Sequence, residues 1–191
     1  MTHPDDVALA AALPAIRSAP ADDGSVALIV RRPVPGEREV LDEGVLDPAV
    51  GLVGDSWSVR PSRSTPDGTA DPAAQLTVMS VRVADIVATG ADAPYDPRAL
   101  AGDQLFVDLD LSEANVPAGT RLAVGEAVIE VSDKPHTGCA KFRRWYGEAA
   151  GTWVNAPDLR HLRLRGLNAR VVQPGVVRRG DRIRKVDPSL G

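Results

Sequence analysis

The chain holds a single cysteine among its 191 residues, so no internal disulfide can form. A lone thiol suits a reducing compartment. The N-terminus lacks the positive charge of a secretory leader: Asp5 and Asp6 stand there, and Pro14 interrupts the short apolar run. No stretch approaches the roughly 18 consecutive apolar residues of a membrane span. Together these absences predict a cytoplasmic protein with no membrane partner. Only 3 histidines accompany the cysteine, and His3 lies near a terminus, so a zinc site with four ligands at the usual spacing is not expected. The Gly-x-Ser-x-Gly elbow, the P-loop and the dinucleotide fingerprint are all missing. Gly24-Ser25 precedes a strand and is a poor nucleophile position. A Cys–His hydrolase would lack an identifiable third, orienting residue.

What is present is ordinary globular composition, with 43% hydrophobic and 25% charged residues. The length allows one well-buried core and is short for two, which predicts a single domain over 1–191. The 17 Gly and 16 Pro, spread along the chain, point to many turns between short elements and so to a β-rich fold.

The periodicities agree. Residues 4–18 read as a short helix, with Val7, Ala11 and Ala15 at helical spacing and Pro14 bending or ending it. Val26–Val30, Glu37–Leu41, Gln75–Met79, Gln104–Leu109, Arg121–Val124 and Glu126–Ser132 read as strands. In Gln104–Leu109, residues Leu105, Val107 and Leu109 share one face and Gln104, Phe106 and Asp108 the other. Ala127, Ile129 and Val131 point inward. Val81–Thr89 reads as a helix with Ser80 as N-cap. Residues 60–74 form the longest loop, a length often tied to function. Later, Cys139–Tyr146 reads as a helix stopped by Gly147, Arg160–Arg165 and Asn168–Val172 as short strands, Gly175–Gly180 as a tight connection, and Asp181–Val186 as the closing strand. The predicted fold is mainly β: a closed or partly closed barrel over about 26–186, with a few short helices.

The net charge of −4 conceals an asymmetry. Residues 1–133 carry 9 Lys/Arg and 22 Asp/Glu, whereas residues 134–186 carry 13 Lys/Arg and 3 Asp/Glu. Two readings stand: a local anion site, or solvated arginines that pair with the acidic part. Nucleic acid is a poor fit, because the whole chain is acidic and the basic segment has no interleaved aromatics.

The segment Lys134-Pro-His136-Thr137-Gly138-Cys139-Ala-Lys141-Phe-Arg143-Arg144 concentrates the chemistry. A thiolate is the nucleophile and the soft metal ligand. Gly138 permits an open turn, a helix start at Cys139 favours negative charge, and Lys134, Lys141, Arg143 and Arg144 add cations. Against this, a lone cysteine is often just a small buried hydrophobe. His136 is a candidate proton carrier or anion ligand, or simply a loop histidine bonded to backbone. In a second cluster, Arg165 and Arg170 flank Asn168 in a strand region and offer guanidinium forks to an anion. Arg178 and Arg179 read as a solvated hairpin.

In order, Gly51-Leu-Val-Gly54-Asp55, Gln75-Leu-Thr-Val, Gly102-Asp-Gln-Leu, Pro117-Ala-Gly-Thr-Arg-Leu, the Gly-Cys139-x-Lys-Phe loop and Arg165-Gly166 through Gly180-Asp181 resemble the MOSC domain. That domain takes its name from the C-terminal part of molybdenum cofactor sulfurases. The resemblance runs from about Val26 to Val186. It implies a strand-rich barrel and binding of the pterin-based molybdenum cofactor (molybdopterin). It places on Cys139 the role of carrying sulfur as a persulfide or ligating molybdenum; His136, read from the loop itself, is the second catalytic candidate. The implied cofactor-binding set is Lys134, Thr137, Gly138, Lys141, Arg143, Arg165, Asn168, Arg170 and Asp55. Implied partners are the pterin and a sulfur donor or acceptor protein. Pyridoxal phosphate is associated with the family through the full sulfurases, whose large pyridoxal-phosphate domain this sequence lacks. Where the family often shows Arg-His after Gly-Asp, this chain has Ser56-Trp57. Three functions compete: a sulfur carrier or sulfurtransferase, a small molybdoenzyme reducing N-hydroxylated compounds, and a non-catalytic binding barrel with Cys139 packed inside.

Overall fold

The computed structural model describes residues 2–62 and 64–186. Met1, Arg63 and residues 187–191, which the single-domain span of 1–191 includes, lie outside the described residues. Helix α1 (Asp6–Arg17) leads to β1 (Gly24–Arg31) and the short strands β2 (Glu39–Leu41), β3 (Glu43–Asp47) and β4 (Gly51–Leu52). Then come β5 (Leu76–Ser80), α2 (Val81–Val87), β6 (Leu105–Asp108), β7 (Arg121–Val124) and β8 (Ala127–Val131). Helix α3 (Ala140–Trp153), β9 (Leu167–Gln173), β10 (Gly175–Arg178) and β11 (Arg182–Lys185) complete the order. Among the described residues no helix is long and apolar enough to cross a membrane.

The strands close a mixed seven-strand barrel in the order β11-β7-β8-β9-β5-β6-β1, with β1 returning to β11 at Gly24↔Ile183 and Ser25↔Arg182. Among the described residues only β5–β6 is parallel; the connection between them carries α2 across the outer face. Strand β2 extends the sheet beyond β1, and β10-β3-β4 form a second, three-stranded sheet.

Strand alternation sorts the side chains into two cores. Val26, Leu105, Val107, Leu122, Ile129, Val131, Ala169 and Val171 fill the barrel. The opposite faces of β1, β5 and β6 offer Leu28, Val30, Met79 and Phe106 to Leu9, Val83, Val87, Phe142, Tyr146 and Trp153 of the three helices. The Gln104–Phe106 face is therefore buried under helices, and Gln104 Oε1 accepts from Thr77 N at 2.9 Å and Thr77 Oγ1 at 2.7 Å.

Several expectations are corrected. In α1, Pro14 sits inside the helix, and the packed face carries Leu9, Ala12, Leu13 and Ile16 while Val7 is exposed. Asp5 caps that helix by accepting from Ala8 N at 2.8 Å. Ser80 holds the N-cap position of α2, but its buried hydroxyl makes no cap bond, and the helix stops at Val87. Gly147, at φ 88° and ψ 166°, does interrupt the helix where expected, but a second helical segment follows within α3 and packs Ala150 and Trp153 into the outer core. Arg160–Arg165 is no strand. A 3-10 turn spans Pro157–Leu162, and Leu159 and Leu162 pack at its three-residue spacing, which resembles alternation over so short a span. The 175–180 connection is largely β10, paired with β3 from Gly175↔Leu46 to Arg178↔Glu43. Polar, half-exposed β3 gave no alternation signal to announce that partner.

Candidate functional site

The 134–139 loop leaves β8 and ends at α3, and two asparagines fix its backbone. Asn168 Nδ2, on the outer face of β9, donates to the carbonyls of Lys134 at 3.1 Å and Pro135 at 3.2 Å. Asn155 Oδ1 accepts from Gly138 N at 2.9 Å, and its Nδ2 donates to Gly138 O at 3.2 Å. Lys134 Nζ reaches across to Ser64 Oγ at 2.9 Å and to the Asp71 carboxylate, tying down the long 60–74 loop. Cys139 follows as the N-cap residue of α3, with extended backbone and an exposed side chain.

A cleft of about 240 Å³ opens at this thiol, lined by Arg32, Arg38, Arg60, His136, Lys141 and Arg165 as well as Cys139. An adjoining cavity of about 430 Å³ shares Arg32, Arg60 and His136 and adds Lys134, Thr137 and Asn168.

Two buried carboxylates hold Arg32, His136 and Arg165 in place. Asp55, with a fully buried side chain, takes Arg32 in a two-pronged grip: Nε to Oδ2 at 2.8 Å and Nη2 to Oδ1 at 2.8 Å. It also accepts from Arg32 N and Trp57 N, capping the 3-10 turn Ser56–Val59. This cap is the role of the Gly54-Asp55-Ser56-Trp57 loop. Burial opposes the Asp55 charge, but the Arg32 hydrogen bonds and charge outweigh it and hold the carboxyl below its usual range. Arg32 Nη1 then donates to Gly102 O at 2.9 Å, next to the second carboxylate.

That second group, Asp103, is also fully buried. It receives Arg165 Nη1 at 2.6 Å and contacts His136 Nε2 at 3.1 Å. Arg165 also stacks over Phe142, 5.0 Å from its centroid, and Phe142 meets Tyr146 edge-on at 4.8 Å. Burial would push the Asp103 carboxyl up, yet Arg165 and His136 hold it below the usual carboxylate range. For His136, burial and then the Arg165 charge push the ring below its ordinary 6.5 despite Asp103. The imidazole is therefore neutral at pH 7, with Nε2–H toward Asp103 and Nδ1 left to accept.

The sign of the pH effect follows. Below about pH 6.5 the unfolded chain takes up a proton at this ring before the folded protein does, so acidification destabilises the fold. Urea midpoints should fall between about pH 7 and about pH 5. The loss continues until the folded ring itself protonates. His136→Gln should flatten that limb, and an unchanged slope in the variant would count against a buried neutral imidazole.

The structure thus brings Cys139, His136, Lys141 and Arg165 to one cleft, with Lys134, Thr137 and Asn168 in the adjoining cavity, Gly138 in the clamped loop and Asp55 beneath. It does not bring Arg143 or Arg170. Arg143 pairs with Glu148 along α3 and reaches Thr152 at 3.2 Å. Arg170 pairs with its cross-strand partner Glu130 at 2.6 Å in solvent, beyond the stretch of β9 that the loop covers. The late basic segment mostly serves the acidic part: Arg178 meets Glu43 and Glu126, Arg179 meets Asp42 and Arg182 meets Asp23. The cleft instead draws Arg32, Arg38 and Arg60 from the acidic half, and sequence reasoning missed all three. The Arg31-Arg32 pair at the end of the first strand was the available signal. Asp103 was visible only as part of Gly102-Asp103.

Fold and site together define a closed β-barrel with a solvent-reachable thiol in a cationic cleft. The chain belongs to the MOSC domain family, whose model matches residues 67–184. That span holds Cys139, His136, Asp103 and Arg165, while Arg32, Arg38, Asp55 and Arg60 lie before it. The fold is similar to YuaD of Bacillus subtilis (TM-score 0.55, 15% identity, 84% of this chain and 94% of that one). It is likewise similar to YiiM of Escherichia coli (TM-score 0.55, 21% identity, 85% of this chain and 70% of that one). A comparison with curated proteins gives no match.

Proposed function

We propose that the Cys139 cleft binds the anionic, pterin-based molybdenum cofactor and that Cys139 is a sulfur carrier. One observation carries the reading: an exposed thiol shares a cleft with Arg32, Arg38, Arg60 and Lys141. The donor set fits such a group. Among the described residues Arg38 meets no carboxylate in salt-bridge contact, and burial and then Arg32 push its pKa down, so an anion there would be stabilised. Arg165 Nε is buried without a hydrogen-bond partner. Among the described residues no three His, Cys, Asp or Glu side chains cluster as a metal site. A metal here would be held chiefly by its cofactor, with Cys139 as the one soft protein donor.

Arg32, Arg38, Arg60 and Lys141 would hold the phosphate, Arg32 being locked in orientation by Asp55. When bound, the cofactor would supply a molybdenum centre that accepts sulfur and changes redox state. The Cys139 thiolate attacks the sulfane sulfur of a donor persulfide. A new S–S bond forms on Cys139 as the donor's S–S bond breaks, and the donor leaves as its thiolate. His136, on the wall of the same cleft, would take or return a proton there. A reducing cytoplasmic setting suits the exposed thiol. The neutral His136 in the same cleft favours a second reading, in which Cys139 ligates molybdenum and the chain reduces N-hydroxylated compounds.

Protein incubated with a cysteine desulfurase and cysteine should gain one sulfur in its intact mass, and Cys139→Ala should gain none. No addition to wild type, or equal addition to the variant, defeats the carrier reading. Expression with molybdate in a cofactor-competent host separates the two readings: stoichiometric molybdenum with reductase activity selects the second. Loss of metal in Cys139→Ser would assign the ligand.

A further inference from the structure

A cavity of about 520 Å³ shares His136 and Arg165 with the Cys139 cleft and the Lys134–Thr137 loop with the adjoining cavity, but Cys139, Arg32 and Arg60 are not among its walls. Pro135, Val154 and Leu167 give it an apolar side, and Arg160, Arg163, Glu113 and Asp133 give it charge of both signs.

Arg163 is the unusual member. Its backbone is left-handed, at φ 49° and ψ 49°, a conformation that residues with a Cβ rarely adopt. Such conformations cluster at functional sites. The side chain is half-buried and spends one donor, Nη1, on Val116 O at 2.7 Å. Among the described residues no carboxylate lies in salt-bridge contact with it. Burial pulls its pKa down, opposed only by the more distant Glu113 charge. Among the cations nearby, Arg165 has Asp103, Lys134 has Asp71 and Arg32 has Asp55, whereas Arg163, like Arg38 of the cleft, has no such partner among the described residues. Arg163 is thus a half-buried guanidinium on the cavity wall that spends only Nη1 on the protein, among the described residues, and keeps its other donors for a ligand or solvent.

We propose that this cavity is a second ligand site, separate from Cys139, for a small molecule with an apolar body and one carboxylate held by Arg163. The planar two-oxygen anion matches the guanidinium fork, with Arg160 as a second, exposed cation. Glu113 and Asp133 on the same walls repel a further negative charge, which selects a monoanion over a phosphate. Pro135, Val154 and Leu167 receive the apolar body. The assignment does not depend on the molybdenum cofactor.

The test is an amide NMR titration of the full chain with 3-phenylpropionate. Saturable shifts should appear at Thr137, Val154, Gly166 and Leu167. The neutral 3-phenylpropanol and the dianionic phenylphosphate should bind at least about tenfold more weakly. Arg163→Met should weaken 3-phenylpropionate about tenfold. Arg160→Met removes an exposed side chain with no hydrogen bond among the described residues, so it tests the site without risk to the fold; it should weaken the probe about threefold. Cys139→Ser should bind as wild type, whatever its sulfur chemistry. The proposal is overturned by no saturable shift, by equal binding to both arginine variants, by tighter binding of phenylphosphate, or by shifts confined to Cys139 and Arg32.

Discussion

Asp103→Ala should cost about 3–5 kcal/mol of folding stability, because it strands Arg165 as an uncompensated buried charge and strips His136 of its partner. A domain of this size has about 5–15 kcal/mol in total, so the loss is a large share of it. The melting temperature should fall by roughly 6–20 °C. Urea unfolding at pH 7 measures the loss directly. A second variant separates charge from packing. In Asp103→Leu with Arg165→Met, no buried charge remains, and much of the stability should return. A double variant no better than Asp103→Ala would mean that the triad is held by shape rather than by charge.

Asp55→Ala should also cost about 3–5 kcal/mol, since it removes the carboxylate that grips Arg32 and the cap of the Ser56–Val59 turn together. Its effect reaches further than stability. Arg32 is a wall of both the Cys139 cleft and the adjoining cavity, and its direction is set by Asp55. Molybdenum retained after expression with molybdate, assayed well below the unfolding transition, should therefore drop in Asp55→Ala. Asp55→Asn keeps part of the cap while losing the charge, and it should fall between the two. Full metal retention in a folded Asp55→Ala protein would remove Arg32 from the anion-binding set.

How much of this was legible in the sequence depended on how local each signal was. Strands β7 and β8 alternate against the barrel core alone, and β1 and β6 alternate between the barrel core and the helix-covered core, so periodicity revealed all four. Strands β3 and β10 stabilise one another across more than a hundred residues of chain, and neither has a pattern of its own. The Cys139 loop was legible because its Gly, Lys and His are sequence neighbours. Arg32, Arg38 and Arg60 were not, because barrel closure, rather than chain proximity, carries the end of β1 to the start of α3. The same logic explains Arg143 and Arg170. They stand beside site residues in sequence, but one lies along a helix toward Glu148 and the other one strand step beyond the loop's cover. The resemblance from about Val26 and the family match over 67–184 differ at their start, and the difference includes Asp55.

The asparagine clamp has a consequence for anyone who would redesign the chemistry. Neither Asn155 nor Asn168 grips the sulfur; both grip the main chain that leads into it, at Gly138 and at Lys134 and Pro135. The address is written in amides and the tenant is a single atom. Serine or selenocysteine at position 139 should occupy the same spot, so the barrel offers a ready frame for comparing oxygen, sulfur and selenium under one set of arginines.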